Sequence, residues 1–151
     1  MQNRNCLLAL LLCTALLNTA IADDTRTERR VIKTPAMEKL DLPFSEAVLV
    51  GNTLYLSGNG GIDEETMTVP EDPRDEAKLL MENFKKVLDA ADMTFDDLVY
   101  VTIYCSDLSL YSDFNEVYRT YFTGDFPARA FIGSAPLLFG MRFELQGIAV
   151  K

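Results

Sequence analysis

Arg129 and Glu144 are the two residues of this sequence best suited to do chemistry. They lie fifteen positions apart near the end of the chain, inside the otherwise apolar, strand-like runs FPARAFI and GMRFELQGIAV. A guanidinium can bind a carboxylate through two parallel hydrogen bonds, and a glutamate can orient or deprotonate a water. The pair could therefore run acid–base chemistry on a small anion. Equally, it could be a cross-strand ion pair on the outside of a sheet, worth about 0 to 1 kcal/mol.

The first 22 residues are typical of a secretory signal peptide. An apolar run, Cys6 to Leu17, is followed by small residues at Ala20 and Ala22, which is the spacing that signal peptidases cleave. The run is shorter than the roughly 20 residues needed to cross a bilayer. We therefore expect export across the inner membrane into the periplasm, without a membrane anchor.

Lipid attachment at Cys13 is the alternative fate of this segment. Leu12 argues against it, because a small residue is expected before a lipidated cysteine. We expect residues 1–22 to be removed and residues 23–151 to form one compact domain, since 129 residues suffice for one core and not for two.

The composition excludes several kinds of site. The chain has no histidine and a formal net charge of −9, and Cys105 is the only cysteine after the signal segment. No serine or cysteine nucleophile can therefore have a histidine base. A transition-metal site would have to be built from carboxylates, which is uncommon. An acidic chain also disfavours nucleic acid as a partner, so we expect neither a metal nor an RNA or DNA ligand.

Hydrophobic periodicity predicts an α+β domain. Apolar residues repeat at helical spacing over Pro70–Asp92 and Ser109–Phe122. The strand-like runs are Val31–Lys33, Glu46–Val50, Thr53–Leu56, Leu98–Cys105, Ala128–Ile132 and Met141–Val150. The order β-β-β-α-β-α-β-β favours one sheet with both helices packed on the same face. Between the third strand and the first helix, we expect Ser57–Gly61 to be a glycine-rich loop.

The other face of this sheet is predicted to be open and mixed in character. In Leu98–Cys105, the aliphatic side is Val99, Val101, Ile103 and Cys105, and the opposite side is Tyr100, Thr102 and Tyr104. In the last strand, Arg142, Glu144 and Gln146 alternate with apolar residues and point away from the helices. A face that is partly aromatic and partly charged suits contact with another subunit.

Several short motifs resemble those of the RidA-like reactive intermediate deaminase family, also called YjgF-like or endoribonuclease L-PSP-like. They are Phe126-Pro127-Ala128-Arg129, Phe143-Glu144-Leu145, Ile148-Ala149-Val150, Leu54-Tyr55-Leu56-Ser57-Gly58 and Asn115-Glu116-Val117-Tyr118. The resemblance runs from about Pro43 to Val150. It implies a chorismate-mutase-like fold, with a six-stranded mixed sheet, two helices on one face, and a homotrimer that closes a barrel with the other.

The resemblance also implies an activity. Members of this kind hydrolyse 2-imino acids, formed from enamines, to 2-oxo acids and ammonium, and they need no metal or organic cofactor. Arg129 would bind the substrate carboxylate and Glu144 would position and activate a water. The alternative is a trimeric binding protein for a small carboxylate or a protein partner, without turnover.

Four further residues would line the pocket by the same resemblance: Phe44, Ser57, Gly58 and Phe131. Phe44 stands where the family usually has tyrosine, and Phe131 where a cysteine is often found. Asn115 and Tyr118 could line the pocket or simply pack, because both lie on a predicted helix.

Overall fold

The computed structural model describes residues 28–39 and 41–151. The signal segment expected at residues 1–22 lies outside this range. The strands are β1 Arg29–Ile32, β2 Ala47–Val50, β3 Thr53–Gly60, β4 Leu98–Cys105, β5 Ala128–Gly133 and β6 Phe143–Val150, and the helices are α1 Pro73–Asp89 and α2 Tyr111–Tyr118. Short 3-10 turns connect them. The predicted order of elements is confirmed, although both helices are shorter than expected.

The six strands form one mixed sheet in the order β1-β2-β3-β6-β4-β5. All neighbours are antiparallel except β4 and β5, which run parallel. A parallel pair needs a crossover connection, and α2 supplies it. In this strand order, β4 lies between β5 and β6. Arg129 and Glu144 are not on neighbouring strands, so the cross-strand pair considered as an alternative does not form.

Both helices cover the same face of the sheet. Helix α1 begins where the Asp72 side chain accepts a hydrogen bond from the Arg74 amide, with Pro73 at the first helical position. The apolar stripe of α1 is buried as predicted: Ala77, Leu80, Met81, Phe84, Val87 and Leu88. From α2, Phe114 and Tyr118 complete this core. No helix among the described residues is long and apolar enough to cross a membrane.

Strand β4 has the two faces that its alternation predicts. Val101, Ile103 and Cys105 are fully buried under the helices. Burial raises the pKa of the Cys105 thiol, which donates to the Asp107 carbonyl and is a core residue. Val99 departs from the prediction and is exposed, because the β4–β6 register is irregular between Leu98 and Tyr100.

Two other expectations at the β3–β6 end of the sheet are wrong. The Ser57–Gly61 segment is not a loop, since β3 continues to Gly60 along β6 after an irregularity in register. The residue after β3, Gly61, has to be glycine, because a Cβ at this position would overlap the backbone carbonyl of Glu76. Arg142 does not line the open face either. It precedes β6, and its side chain turns to the helix side to pair with Glu76.

Candidate functional site

Arg129 lies on the helix-covered side of the sheet, at its β5 edge. It stands opposite Val101 in the parallel ladder, so it shares the face of that buried residue. Its guanidinium lies 4.8 Å from the centre of the Tyr118 ring. One terminal nitrogen donates to Asn115 Oδ1 at 2.8 Å, and the other to the Tyr111 hydroxyl at 3.4 Å. Helix α2 thus holds the arginine by hydrogen bonds and by a cation–π contact.

A cleft of about 240 Å³ opens between α2 and β5 beside this guanidinium. Its walls are partly apolar and partly polar, with Tyr111, Asn115, Tyr118, Arg119, Phe126, Pro127 and Arg129. An arginine has five N–H donors in a planar fork. Two of them are used by Asn115 and Tyr111, so three are available to a ligand. The cleft can bind a small carboxylate through Arg129.

The Tyr118 hydroxyl is a second polar group in this cleft. Its oxygen is buried and has no hydrogen-bond partner among the described residues, which is uncommon for a native protein. Burial raises the pKa of Tyr118 to about 12, and the nearby Arg129 charge opposes only part of that shift. The group is therefore protonated at neutral pH and can donate a hydrogen bond to a ligand.

Phe131 lies next to the cleft as a packing residue. Its ring meets Tyr111 edge to face at 4.9 Å and Phe114 at 5.6 Å between ring centres. The Arg129 guanidinium lies 5.8 Å from the Phe131 ring centre. Phe131 supports the residues that surround the arginine, so its side chain acts on the site through Tyr111 and Arg129.

The turn that leads into β5 is held by Asp96. The Asp96 carboxylate accepts hydrogen bonds from the Thr123 hydroxyl and amide and from the Gly124 amide. The Thr123 contacts lower the pKa of Asp96 below its usual value. These bonds fix the start of the segment that carries Phe126, Pro127 and Arg129, and so they set one wall of the cleft.

Glu144 lies on the open face of the sheet. It stands opposite Tyr104 in the β4–β6 ladder and is half-buried. Its carboxylate covers the backbone of Gly58, where a Cβ would overlap Oε1. On the same face, the Gln146 amide donates to the Tyr104 hydroxyl at 3.3 Å. Glu144 and Gly58 therefore lie in contact on the open face.

Ser57 and Phe44 are placed differently from Gly58. The Ser57 hydroxyl and amide both donate to the Glu46 carbonyl, each at 2.9 Å, so this side chain ties β3 to the residue before β2. Phe44 precedes β2, and about half of its surface is exposed. Neither residue reaches the Arg129 cleft in this protomer.

The candidate residues thus form two groups on opposite faces of the sheet. Arg129, Tyr118 and Asn115 beside α2 form the anion-binding half-site, so named because its guanidinium is able to bind a carboxylate. Glu144 and Gly58 on the open face form the water-handling half-site, so named because its carboxylate is able to orient a water. Within one chain, the sheet separates the two half-sites.

Comparisons with known proteins agree with this architecture. The model of the family described as Endoribonuclease L-PSP matches residues 36–151. A mouse protein named 2-iminobutanoate/2-iminopropanoate deaminase is 38% identical over 124 residues, covering 82% of this chain and 92% of that protein. The chain belongs to the RidA family. Within the family, the RidA structure from Psychrobacter sp. PAMC 21119 superposes with a TM-score of 0.75 at 34% identity, covering 81% of this chain and 99% of that one.

Another solved structure similar to this chain contains a bound amino acid. Escherichia coli TdcF with bound serine has a TM-score of 0.75 and 28% identity, and the match covers 81% of this chain and 98% of that one. The six-stranded sheet with two helices, expected from the resemblance, is confirmed by the structure and by these relatives.

Sequence reasoning missed part of the cleft of this RidA-family chain. Tyr111 and Arg119 were not among the candidates, and Asn115 and Tyr118 were left undecided between lining and packing. Tyr111, Asn115 and Tyr118 lie at steps of four and three residues along α2, and Arg119, just after the helix, is four residues from Asn115, so the four line one side of this segment. That spacing, with Arg129 on the next strand, was the available signal.

Replacing Tyr118 by Phe tests the state of its hydroxyl. The variant should keep the free energy of unfolding at pH 8, because the hydroxyl has no partner to lose. The folded-state pKa is raised from 10.0 to about 12. The stability linked to this shift is therefore complete below pH 10 and is lost as pH rises towards 12. Urea unfolding should show that the free energy of unfolding falls less between pH 8 and pH 11 for Tyr118→Phe than for the wild-type protein. An equal loss in both proteins would contradict this assignment.

Proposed function

We propose that this protein hydrolyses 2-imino acids to 2-oxo acids and ammonium at sites between the subunits of a homotrimer. The observation that carries the proposal is the pair of half-sites, one with an arginine able to bind a carboxylate and one with a glutamate able to handle water. Curated relatives from mouse and human, 38% and 36% identical, are named 2-iminobutanoate/2-iminopropanoate deaminase. Those names support the same reaction class here.

The reaction needs positioning more than strong reagents, because the carbon of a C=N bond is already electrophilic. Arg129 holds the substrate carboxylate, and Glu144 of the neighbouring copy orients a water at the imine carbon. As the C–O bond forms at the protonated imine, the C=N electron pair moves to nitrogen, which becomes a neutral amine, and Glu144 takes one proton from the water. Glu144 then returns this proton to the amine nitrogen, and the C–N bond breaks with its electron pair going to nitrogen. The hydroxyl proton passes to the departing ammonia, which leaves the 2-oxo acid, ammonium and an ionised Glu144. Orientation and proton transfer can each supply roughly 10²-fold or more.

The open face supports assembly with other copies. Tyr55 and Tyr100, both opposite Ile148 in the sheet, are exposed there although both belong to strands. In the β5–β6 connection, Leu138 and Phe139 have 73% and 64% of their surface exposed. A monomeric soluble protein rarely leaves this much apolar surface in water. A closed ring of copies would cover it, and one rotation would repeat the same site at every interface.

Subunit mixing tests both the roles of the two charges and the shared site. Arg129→Ala should lower kcat/KM about 10²-fold or more, and so should Glu144→Gln. If the two variants are unfolded together and refolded in equal amounts, about one quarter of the sites regain both groups. The measurement is the rate at which imino acids, generated by an amino-acid oxidase, disappear.

The outcomes of this experiment separate the alternatives. A mixture no more active than either variant would place the whole site in one protomer and contradict the shared site. If the unmixed wild-type protein showed no turnover but 2-oxo acids raised its Tm, the protein would be a binding module. Arg129→Ala should abolish that shift. RNA is disfavoured as a substrate, because a chain of formal charge −9 repels the phosphate backbone and has no histidine to transfer protons.

Gly58→Ala tests the placement of the Glu144 carboxylate. The new methyl would overlap Oε1, and the flexible glutamate can turn away at small cost to the fold. We expect kcat to fall about tenfold or more with Tm nearly unchanged, because small misplacements of a reacting group are costly. Gly124→Ala is the control, since a Cβ there meets nothing within 4 Å. Full activity of Gly58→Ala would show that Glu144 does not work from this position.

Export to the periplasm is a further part of the proposal, and it rests on residues 1–22. The full chain, expressed in a Gram-negative host, should appear in the periplasmic fraction with Asp23 as its first residue. A version starting at Met followed by Asp23 should stay in the cytoplasm. N-terminal sequencing of both fractions is the measurement. Uncleaved protein confined to the cytoplasm would contradict export.

A further inference from the structure

Glu76 is a fully buried carboxylate that binds the start of β6. It belongs to α1 and has none of its surface exposed. Its Oε1 accepts hydrogen bonds from the amides of Arg142, at 2.6 Å, and Phe143, at 3.1 Å. Its Oε2 accepts from Nε of the Arg142 side chain. Every contact is charge-assisted, which makes these bonds stronger than neutral ones.

Arg142 extends this junction to a third part of the chain. Its two terminal nitrogens donate to the carbonyls of Pro70 and Glu71, the latter at 2.7 Å. Arg142, the residue before β6, therefore joins the segment before α1 to the first turn of α1. Three of the five N–H donors of its guanidinium are bound to these protein groups.

The position of this junction matters because Glu144 follows it by two residues. Side chains alternate along a strand, so a shift of one residue at the start of β6 would move Glu144 from the open face to the helix face. By binding two consecutive amides, Glu76 fixes the point at which the alternation begins. The partner strand is fixed at the same place, because Gly61 packs against the Glu76 backbone and Gly60 against Met141.

Stability alone does not explain why this site has the Glu76–Arg142 ion pair and not apolar side chains. A buried ion pair is weak evidence for stability, since apolar residues of similar size often do as well or better. Its best-attested use is to select one arrangement over close alternatives. At this junction the arrangement selected is the register of β6.

We propose that Glu76 and Arg142 are positioning residues for Glu144. They hold its backbone so that the carboxylate covers Gly58 and faces the neighbouring copy. This inference rests on the proposed role of Glu144, and it adds that α1, on the other side of the sheet, sets the geometry of the water-handling half-site.

Glu76→Gln is the sharpest test, because it keeps the size and one acceptor oxygen but removes the charge that Arg142 needs. We expect kcat to fall about tenfold, since the water-orienting group is misplaced. KM should change less than about twofold, because Arg129 still binds the carboxylate. Val87→Ala is the matched control. It lies on the same helix, is 2% exposed, and should lose stability without losing kcat when assayed well below both Tm values.

A second measurement does not depend on turnover. The ¹³C NMR signal of the Glu144 carboxyl, followed from pH 3 to 8, should shift in Glu76→Gln and stay as in wild type in Val87→Ala. If Glu76→Gln keeps both kcat and the Glu144 signal, or if Val87→Ala changes them equally, the positioning role is overturned. An inactive wild-type protein would refute the proposed function alone, because the NMR comparison would still decide the positioning.

Discussion

The pairing of β4 with two different strands is the constraint on which both half-sites depend. Strand β4 is bonded in parallel to β5 on one side and antiparallel to β6 on the other. Because side chains alternate every residue, each ladder decides the face that the neighbouring residues take. Arg129, opposite Val101, has to face the helices, and Glu144, opposite Tyr104, has to face away from them. No side-chain rotation brings the two charges together through the sheet.

This separation has a chemical benefit. An arginine and a glutamate free to meet in one protomer would bind each other, and the donors intended for an anion would be occupied. In this protein the guanidinium instead rests on the Tyr118 ring and on Asn115, which leave most of its N–H groups available. Within one chain the two charges stay apart, and in the proposed homotrimer a substrate between two copies would contact both.

Much of the fold could be predicted from the sequence because its signals are local. The stripe of α1, the alternation of β4 and the order of elements all follow from periodicity within single segments. What could not be predicted depends on contacts between distant segments. The sequence of Ser57–Gly61 has the glycines of a loop, yet β6 pairs with it and extends β3 to Gly60. Arg142 has the spacing of an outward residue, yet the buried charge of Glu76 draws it inward.

The same distinction applies to the site. Arg129 and Glu144 could be identified as unusual charges in apolar runs, but their faces required the strand order, which places β4 between β5 and β6. Tyr111 and Tyr118 could not be separated from ordinary core aromatics until α2 was seen to pack beside Arg129. The edge position of β5 also has an effect on motion. A strand bonded on one side only, and covered by an eight-residue helix, has fewer hydrogen bonds to break than an inner strand, so it can separate from the sheet at a lower free energy. A ligand in the Arg129 cleft would contact β5 and α2 together, so its binding would be linked to the closing of this corner.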